Sequence, residues 1–220
     1  MLDFFRQLFS SNSIRTTSFF TLYQNIVRWR NAKVYPYPYN LPEAISMPES
    51  FWNDVIKIYR LTDADGKERA MSVWYADGDL LTTPPTRGDE KSVTTKDSVS
   101  VKYSPHPTRQ GYYRKEVFVN QKLTKRIDVF HEKAPKKVDI SYLFNMHTHP
   151  KYSMDDGTTL YSFFSAQDIR SLISSQAIMT GLVTDKLWLL MRTSETPNSV
   201  PFNDGESLTV ETLKDNMKLG

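Results

Sequence analysis

Apolar positions in the middle of this chain change period several times, and each change marks an element. Phe51, Val55, Ile58 and Tyr59 recur at helical spacing in PESFWNDVIKIYR, which predicts a helix from about Pro48 that ends near Asp65 and Gly66. The runs AMSVWYA, SVSVKYS, KEVFVN and RIDVFH follow, short, β-branched and aromatic, bounded by Gly, Pro and Asp, and they predict strands. ISYLFNMHTH predicts another strand. SAQDIRSLISSQ returns to helical spacing through Ile169, Leu172 and Ile173, and IMTGLVTD with KLWLLMRT predicts a hairpin. There is no repeat period and no even alternation of strand and helix. The order implies an α/β fold, a mixed β-sheet packed with helices.

Both ends depart from this regularity. Residues 1–50 read as an N-terminal extension, with aromatic helical stretches and the run Tyr35, Pro36, Tyr37, Pro38, Tyr39, which cannot continue a helix and reads as an extended linker. The opening MLDFFRQLFSSNS lacks the unbroken apolar stretch of a signal peptide and fits a short amphipathic helix. Residues 51–195 form the predicted domain, and 196–220 a polar tail.

Composition narrows the chemistry. The 220 residues include no cysteine, so disulfides, thiol nucleophiles, iron–sulfur clusters and thiolate zinc sites are excluded, and any metal falls to His, Asp or Glu. A net charge of +3 is too small to point to nucleic acid. Basic residues outnumber acidic ones between Lys115 and Lys137, but such a face suits solvent or an acidic protein equally well. No window approaches 18 apolar residues, so no transmembrane segment is expected, and a cytoplasmic location is.

The chemistry concentrates between Phe144 and Leu172. His147 and His149 stand two apart at the end of an apolar strand, which turns both imidazoles to one face. Pro150 stops the ladder, so the pair is expected at a sheet edge or mouth. The pair reads either as metal ligands or as half-buried histidines satisfied by hydrogen bonds. Ser165 and Asp168 open the next helix at i, i+3, a spacing that makes a variant capping box and needs no function. With the histidines nearby, Asp168 also supplies a third ligand. Two imidazoles, one carboxylate and an open fourth position make a catalytic zinc site.

HTHP followed by SAQD, with a glutamate upstream, resembles the JAMM (MPN+) zinc metalloprotease motif over roughly Phe51 to Thr193. The resemblance implies an MPN, cytidine-deaminase-like sandwich in which His147, His149 and Asp168 bind zinc, Ser165 stabilises the oxyanion and a glutamate handles the proton of the attacking water. Glu68 stands where the family glutamate does, between the first core helix and the next strand, although DGKER also reads as a solvated turn. Glu43, Glu49, Glu90 and Glu116 match less well. The implied reaction is hydrolysis of a peptide or isopeptide bond in a protein substrate, commonly a ubiquitin-like conjugate or precursor. The sequence departs from the pattern in one place, because fourteen residues, Lys151 to Phe164, separate Pro150 from Ser165. This insertion, with Asp155, Asp156 and Gly157 at its centre, reads as a mobile lid or as a passive surface excursion.

The long spacing leaves alternatives. Ser153 and Asp156 form a second S-x-x-D, disfavoured because no apolar helical repeat follows Asp156. HTHPKYSMDDG also resembles the first metal motif of PHP-type phosphoesterases, but that fold takes later histidines, and none follows His149. A non-catalytic MPN-type interaction module and a DNA-repair-associated JAMM relative are the remaining rivals.

Overall fold

A computed structural model describes residues 16–36, 44–90, 92–130, 137–175 and 177–196. The expected N-terminal amphipathic helix, Tyr37 to Tyr39 of the linker and the C-terminal tail from residue 197 lie outside the described residues. In chain order the elements are β1 (Thr16–Ser18), α1 (Phe19–Ala32), β2 (Ala44–Ser46), α2 (Glu49–Asp65), β3 (Arg69–Ala76), β4 (Asp79–Thr82) and β5 (Thr86–Arg87). They continue with β6 (Val99–Pro105), β7 (Tyr112–Val119), β8 (Lys122–Phe130), β9 (Ile140–Thr148), β10 (Lys151–Ser153), β11 (Thr159–Tyr161), α3 (Ala166–Ser174), β12 (Met179–Val183) and β13 (Leu187–Met191).

The result is an α/β fold around a mixed six-stranded sheet in the order β13-β12-β9-β3-β4, with β5 paired to β3. β9 and β12 run parallel; the other pairings are antiparallel. β9 is therefore a central strand. Its pair of histidines lies at the mouth formed by its C-terminal end, not at a sheet edge. One face of the sheet is apolar, through Met71, Val73 and Tyr75 of β3, Leu143, Phe144 and Met146 of β9, and Met179 and Val183 of β12. On it pack α2, through Phe51, Val55 and Ile58, and α1, through Leu22, Tyr23 and Ile26. A boundary at residue 50 thus does not follow the packing, because α1 shares the core of the sheet. At Gly181 a Cβ would stand 2.8 Å from the Met146 Cβ, so glycine lets β12 seat against β9.

A second sheet, β6-β7-β8, is a three-stranded antiparallel meander. Ala76, Val101 and Val117 join it to the first sheet. Lys115 is buried beneath this joint, and its Nζ donates to Asp77 O at 2.7 Å and Asp79 Oδ2 at 3.0 Å. Lys125 pairs with the other Asp79 oxygen at 2.9 Å, and Arg126 with Glu116 at 2.7 Å. Part of the basic surplus of this segment is therefore internal or paired. Among the described residues no helix is long and apolar enough to cross a membrane.

The insertion between Pro150 and Ser165, expected as a lid or a surface excursion, carries a short hairpin that the sequence did not mark. β10 and β11 pair antiparallel, Lys151 opposite Tyr161. The hairpin is tied to α2 by an ion pair from Lys151 to Asp63 and by the Tyr59 and Tyr161 hydroxyls, 3.0 Å apart.

Candidate metal centre

The corner between α2 and β3 is held from several sides. α2 ends on Gly66, whose φ of 66° is the left-handed conformation that glycine adopts without strain, and whose N–H reaches Thr62 O at 2.8 Å. Two residues later the Glu68 N–H donates to Asp89 O at 2.8 Å, and Glu68 O accepts from Gly88 N at 2.9 Å. Arg69 closes the turn, its guanidinium donating to Lys67 O at 2.8 Å and to Asp65 at 2.6 Å. That hydrogen bond holds the Asp65 carboxyl down at about 2. With the backbone fixed on both flanks, the Glu68 side chain turns inward and is only 5% exposed. It is not a solvated turn residue.

Thr148, between the two histidines, ties this corner to β9. Alternation along the strand sends its side chain to the opposite face from His147. It is fully buried, with its hydroxyl 2.5 Å from the Thr62 hydroxyl and accepting the Arg69 N–H at 2.8 Å. A single hydroxyl thus fixes the end of α2, the start of β3 and the histidine strand against one another.

On the other face the histidines converge. His147 lies opposite Ala70 of β3 and Leu182 of β12, so its backbone is paired on both sides. Its Nε2 is 3.1 Å from the Nε2 of His149. His149 Nδ1 is 3.1 Å from Ser162 O. A carbonyl only accepts, so Nδ1 carries the proton and Nε2 presents its lone pair inward, the arrangement in which a metal-binding imidazole is oriented by a partner behind it. Burial and the neighbouring His147 push His149 down from its ordinary value, which favours the neutral ligand form.

Asp168 completes the group from the first turn of α3. Its carboxylate is anchored by a capping box, in which Ser165 N and Oγ each donate to Oδ2 at 2.7 Å while Ser165 Oγ accepts from Asp168 N at 3.2 Å. Oδ1 stands 3.2 Å from His147 Nε2, and Oδ2 3.7 Å from His149 Nε2. Burial raises the Asp168 carboxyl, but hydrogen bonds from His147 and Ser165 outweigh it and bring it down to about 2.

These distances test whether a metal fits. Zinc bonds of about 2.0–2.1 Å to nitrogen and oxygen place tetrahedral ligands about 3.3–3.4 Å apart. His147 Nε2 stands close to that edge from both partners, 3.1 Å from His149 Nε2 and 3.2 Å from Asp168 Oδ1, while the 3.7 Å approach of His149 is to the other carboxylate oxygen, Oδ2. His147, His149 and Asp168 form a group of ligand atoms within 4.8 Å of one another. Glu68 Oε1 faces the same group, 3.8 Å from His149 Nε2. Burial, with the negative charges of Asp168 and Asp89, raises the Glu68 carboxyl to about 7 against the opposing pull of His147. No Lys or Arg forms an ion pair with Glu68 or Asp168 among the described residues, and the groups that face the two carboxylates are the imidazoles.

The structure therefore brings Glu68, His147, His149 and Asp168 together and attaches Ser165 through its cap. The rival Ser153 and Asp156 lie on the exposed β10–β11 hairpin, where Asp156 Oδ1 accepts from its own turn at Thr158 N, 2.8 Å away. Sequence reasoning missed the Ser162 carbonyl, which has no side-chain signature. It also missed Thr148 and Asn145, though strand alternation from His147 marks both. The histidines open into a cleft of about 1370 Å³ that runs over the sheet face opposite the apolar core, between α3 and residues 92–97. No family model, curated protein or solved structure matches this chain.

Proposed function

We propose that this protein is a zinc-dependent hydrolase of peptide or isopeptide bonds, with an MPN-type fold and a JAMM-type site. The observation that carries the reading is the convergence of two Nε2 atoms and a capped carboxylate within 4.8 Å of one another, faced by a buried glutamate that pairs with no Lys or Arg among the described residues. His147, His149 and Asp168 would hold the ion. Zinc bound there supplies Lewis acidity at the scissile carbonyl and makes water a nucleophile near neutral pH.

The remaining work falls to the side chains. Glu68 accepts the proton of the attacking water on its carboxylate and passes it to the departing amine, and a carboxyl raised toward neutrality is matched to both transfers. His149, oriented through Nδ1, and Asp168, anchored by its cap, keep their donor atoms aimed at one point. The Ser165 hydroxyl is directed at Asp168; to donate to an oxyanion it rotates away from the cap, leaving the Ser165 N–H to hold the carboxylate. A protein substrate with a ubiquitin-like tag is the class the motif resemblance favours.

The experiment is cleavage of a panel of ubiquitin-like fusions and lysine conjugates by the zinc-loaded chain and by Glu68→Gln. The amide keeps the shape and cannot accept the proton, so turnover is expected to fall about 100- to 10,000-fold with zinc content unchanged. Equal rates in the two proteins would contradict the assignment of Glu68.

A further inference from the structure

The floor of the cleft has an order of its own. Ala70, Ser72 and Trp74 of β3 alternate onto it, and β9 contributes His147 opposite Ala70 and Asn145 opposite Ser72. Strict alternation would next bring Leu143 to the cleft. A β-bulge intervenes, the register shifting between Val73 and Trp74, so that Leu143 and Phe144 both enter the core and Tyr142 pairs with Trp74 on the cleft side. Their rings meet edge to face, centroids 5.4 Å apart. The bulge thus builds an aromatic pair into the floor, four residues along β3 from the histidine, or about 13 Å at the strand rise of about 3.3 Å.

Between the two ends the floor is low. Ala70 is small, and the Ser72 hydroxyl is turned to Asp97 at 2.7 Å. Asn145 is the polar group left. Its Oδ1 accepts from Thr180 Oγ1 at 2.9 Å, which fixes the amide on the cleft lining, and among the described residues no acceptor takes its N–H groups. A cleft of about 1370 Å³ also exceeds the roughly 300–1,000 Å³ of small-molecule pockets. A metal cluster, a fixed donor and an aromatic pair in line suit an extended chain.

We propose that this cleft is a linear subsite for an unfolded protein segment. About four residues extend from the scissile bond at His147 to Trp74 and Tyr142, which take a large apolar side chain, and Asn145 donates to a main-chain carbonyl on the way. The substrate is accordingly a polypeptide with a large apolar residue about four positions to one side of the cleaved bond. This rests on the hydrolase reading above, and it adds to that reading a residue preference that the metal group does not imply.

The test uses the zinc-loaded Glu68→Gln chain and fluorescein-labelled unstructured peptides of Gly and Ser, with or without a single Phe, read by fluorescence anisotropy. The Phe peptide is expected to bind about tenfold more tightly. Tyr142→Ala and, separately, Trp74→Ala are expected to remove that advantage while leaving the Gly/Ser peptide unchanged, and Trp74→Phe to retain most of it. Asn145→Asp is expected to weaken both peptides equally, by about three- to tenfold. Equal binding of the two peptides to the Glu68→Gln chain, or a loss in Tyr142→Ala shared by both, would overturn the proposal. Digestion of mixed peptides by the unsubstituted chain, with product ends read by mass spectrometry, separates the two readings. Phe enriched about four positions to one side of the cut supports both. A selective Phe subsite without cleavage overturns the hydrolase reading alone, and cleavage without positional preference overturns the subsite alone.

Discussion

Lys115, at the joint of the two sheets, and Glu68, at the mouth of β9, are both ionisable side chains only about 5% exposed, and their surroundings differ in kind. Lys115 meets Asp79 and the Asp77 carbonyl, and Asp79 is shared with Lys125. Burial raises the Asp79 carboxyl, yet the two lysines outweigh it and hold it below its ordinary value. Among the described residues Glu68 has no Lys or Arg partner; it faces two imidazoles and a second carboxylate, and its carboxyl rises to about 7. One cluster is matched charge that fastens two sheets. The other is unmatched charge held in place by backbone and caps, an arrangement that lowers stability unless something binds there.

The largest effect expected from breaking this contrast is at the joint. Lys115→Met keeps the buried stem and removes the cation, leaving Asp79 Oδ2 and the Asp77 carbonyl without their donor while Lys125 still pairs with Asp79 Oδ1, so stability is expected to fall by about 3 kcal/mol in urea denaturation. A fall below about 0.5 kcal/mol would mean that the pairing is not what fastens the sheets.

Glu68→Gln is expected to act in the opposite direction in the zinc-free protein. A carboxyl at about 7 when folded and 4.5 when unfolded binds more protons in the folded state between those values. Its burial is therefore tolerated below pH about 4.5, and stability declines as pH rises toward about 7. Because the group faces an open cleft, the full shift is discounted to about 2 kcal/mol. Glu68→Gln is thus expected to be about 2 kcal/mol more stable at pH 8 and no more stable at pH 4, by thermal melts. A gain that does not depend on pH would break the contrast.

A smaller effect is expected at the interlock between the histidines. Thr148→Val keeps the shape and leaves the Arg69 N–H and the Thr62 hydroxyl without their partner, costing about 1.5 kcal/mol. Thr148→Ser is expected to restore most of it. Amide exchange at Arg69 reports this directly, protection falling in the valine variant and returning in the serine variant.

The legible part of this site was the local part. His147 and His149 are two apart and Ser165 and Asp168 three apart, so a strand or a helix fixes each pair by its own period. Glu68 was found only through the motif it resembles, because its inward turn depends on Asp89, Arg69 and Thr148, none of which marks it in sequence. Aromatic helical spacing was visible before residue 50, but the docking of α1 on the sheet is a tertiary fact. The β10–β11 hairpin has strands of three residues, too short for alternation to register, although Asp156 and Gly157 between them are turn residues. Nor does LFNM announce a bulge. Alternation alone would put Leu143 in the cleft and Tyr142 in the core, so the aromatic end of the floor needed the structure.

The central claim is that the unmatched cluster is a metal site, and the most direct measurement is metal content of the purified chain with single ligand variants. The account expects one zinc per chain, lost in His147→Ala, His149→Ala and Asp168→Ala, because two remaining donors do not hold it, and retained in Asp156→Ala. A chain that binds no zinc, or one that keeps its zinc in Asp168→Ala and loses it in Asp156→Ala, would contradict it.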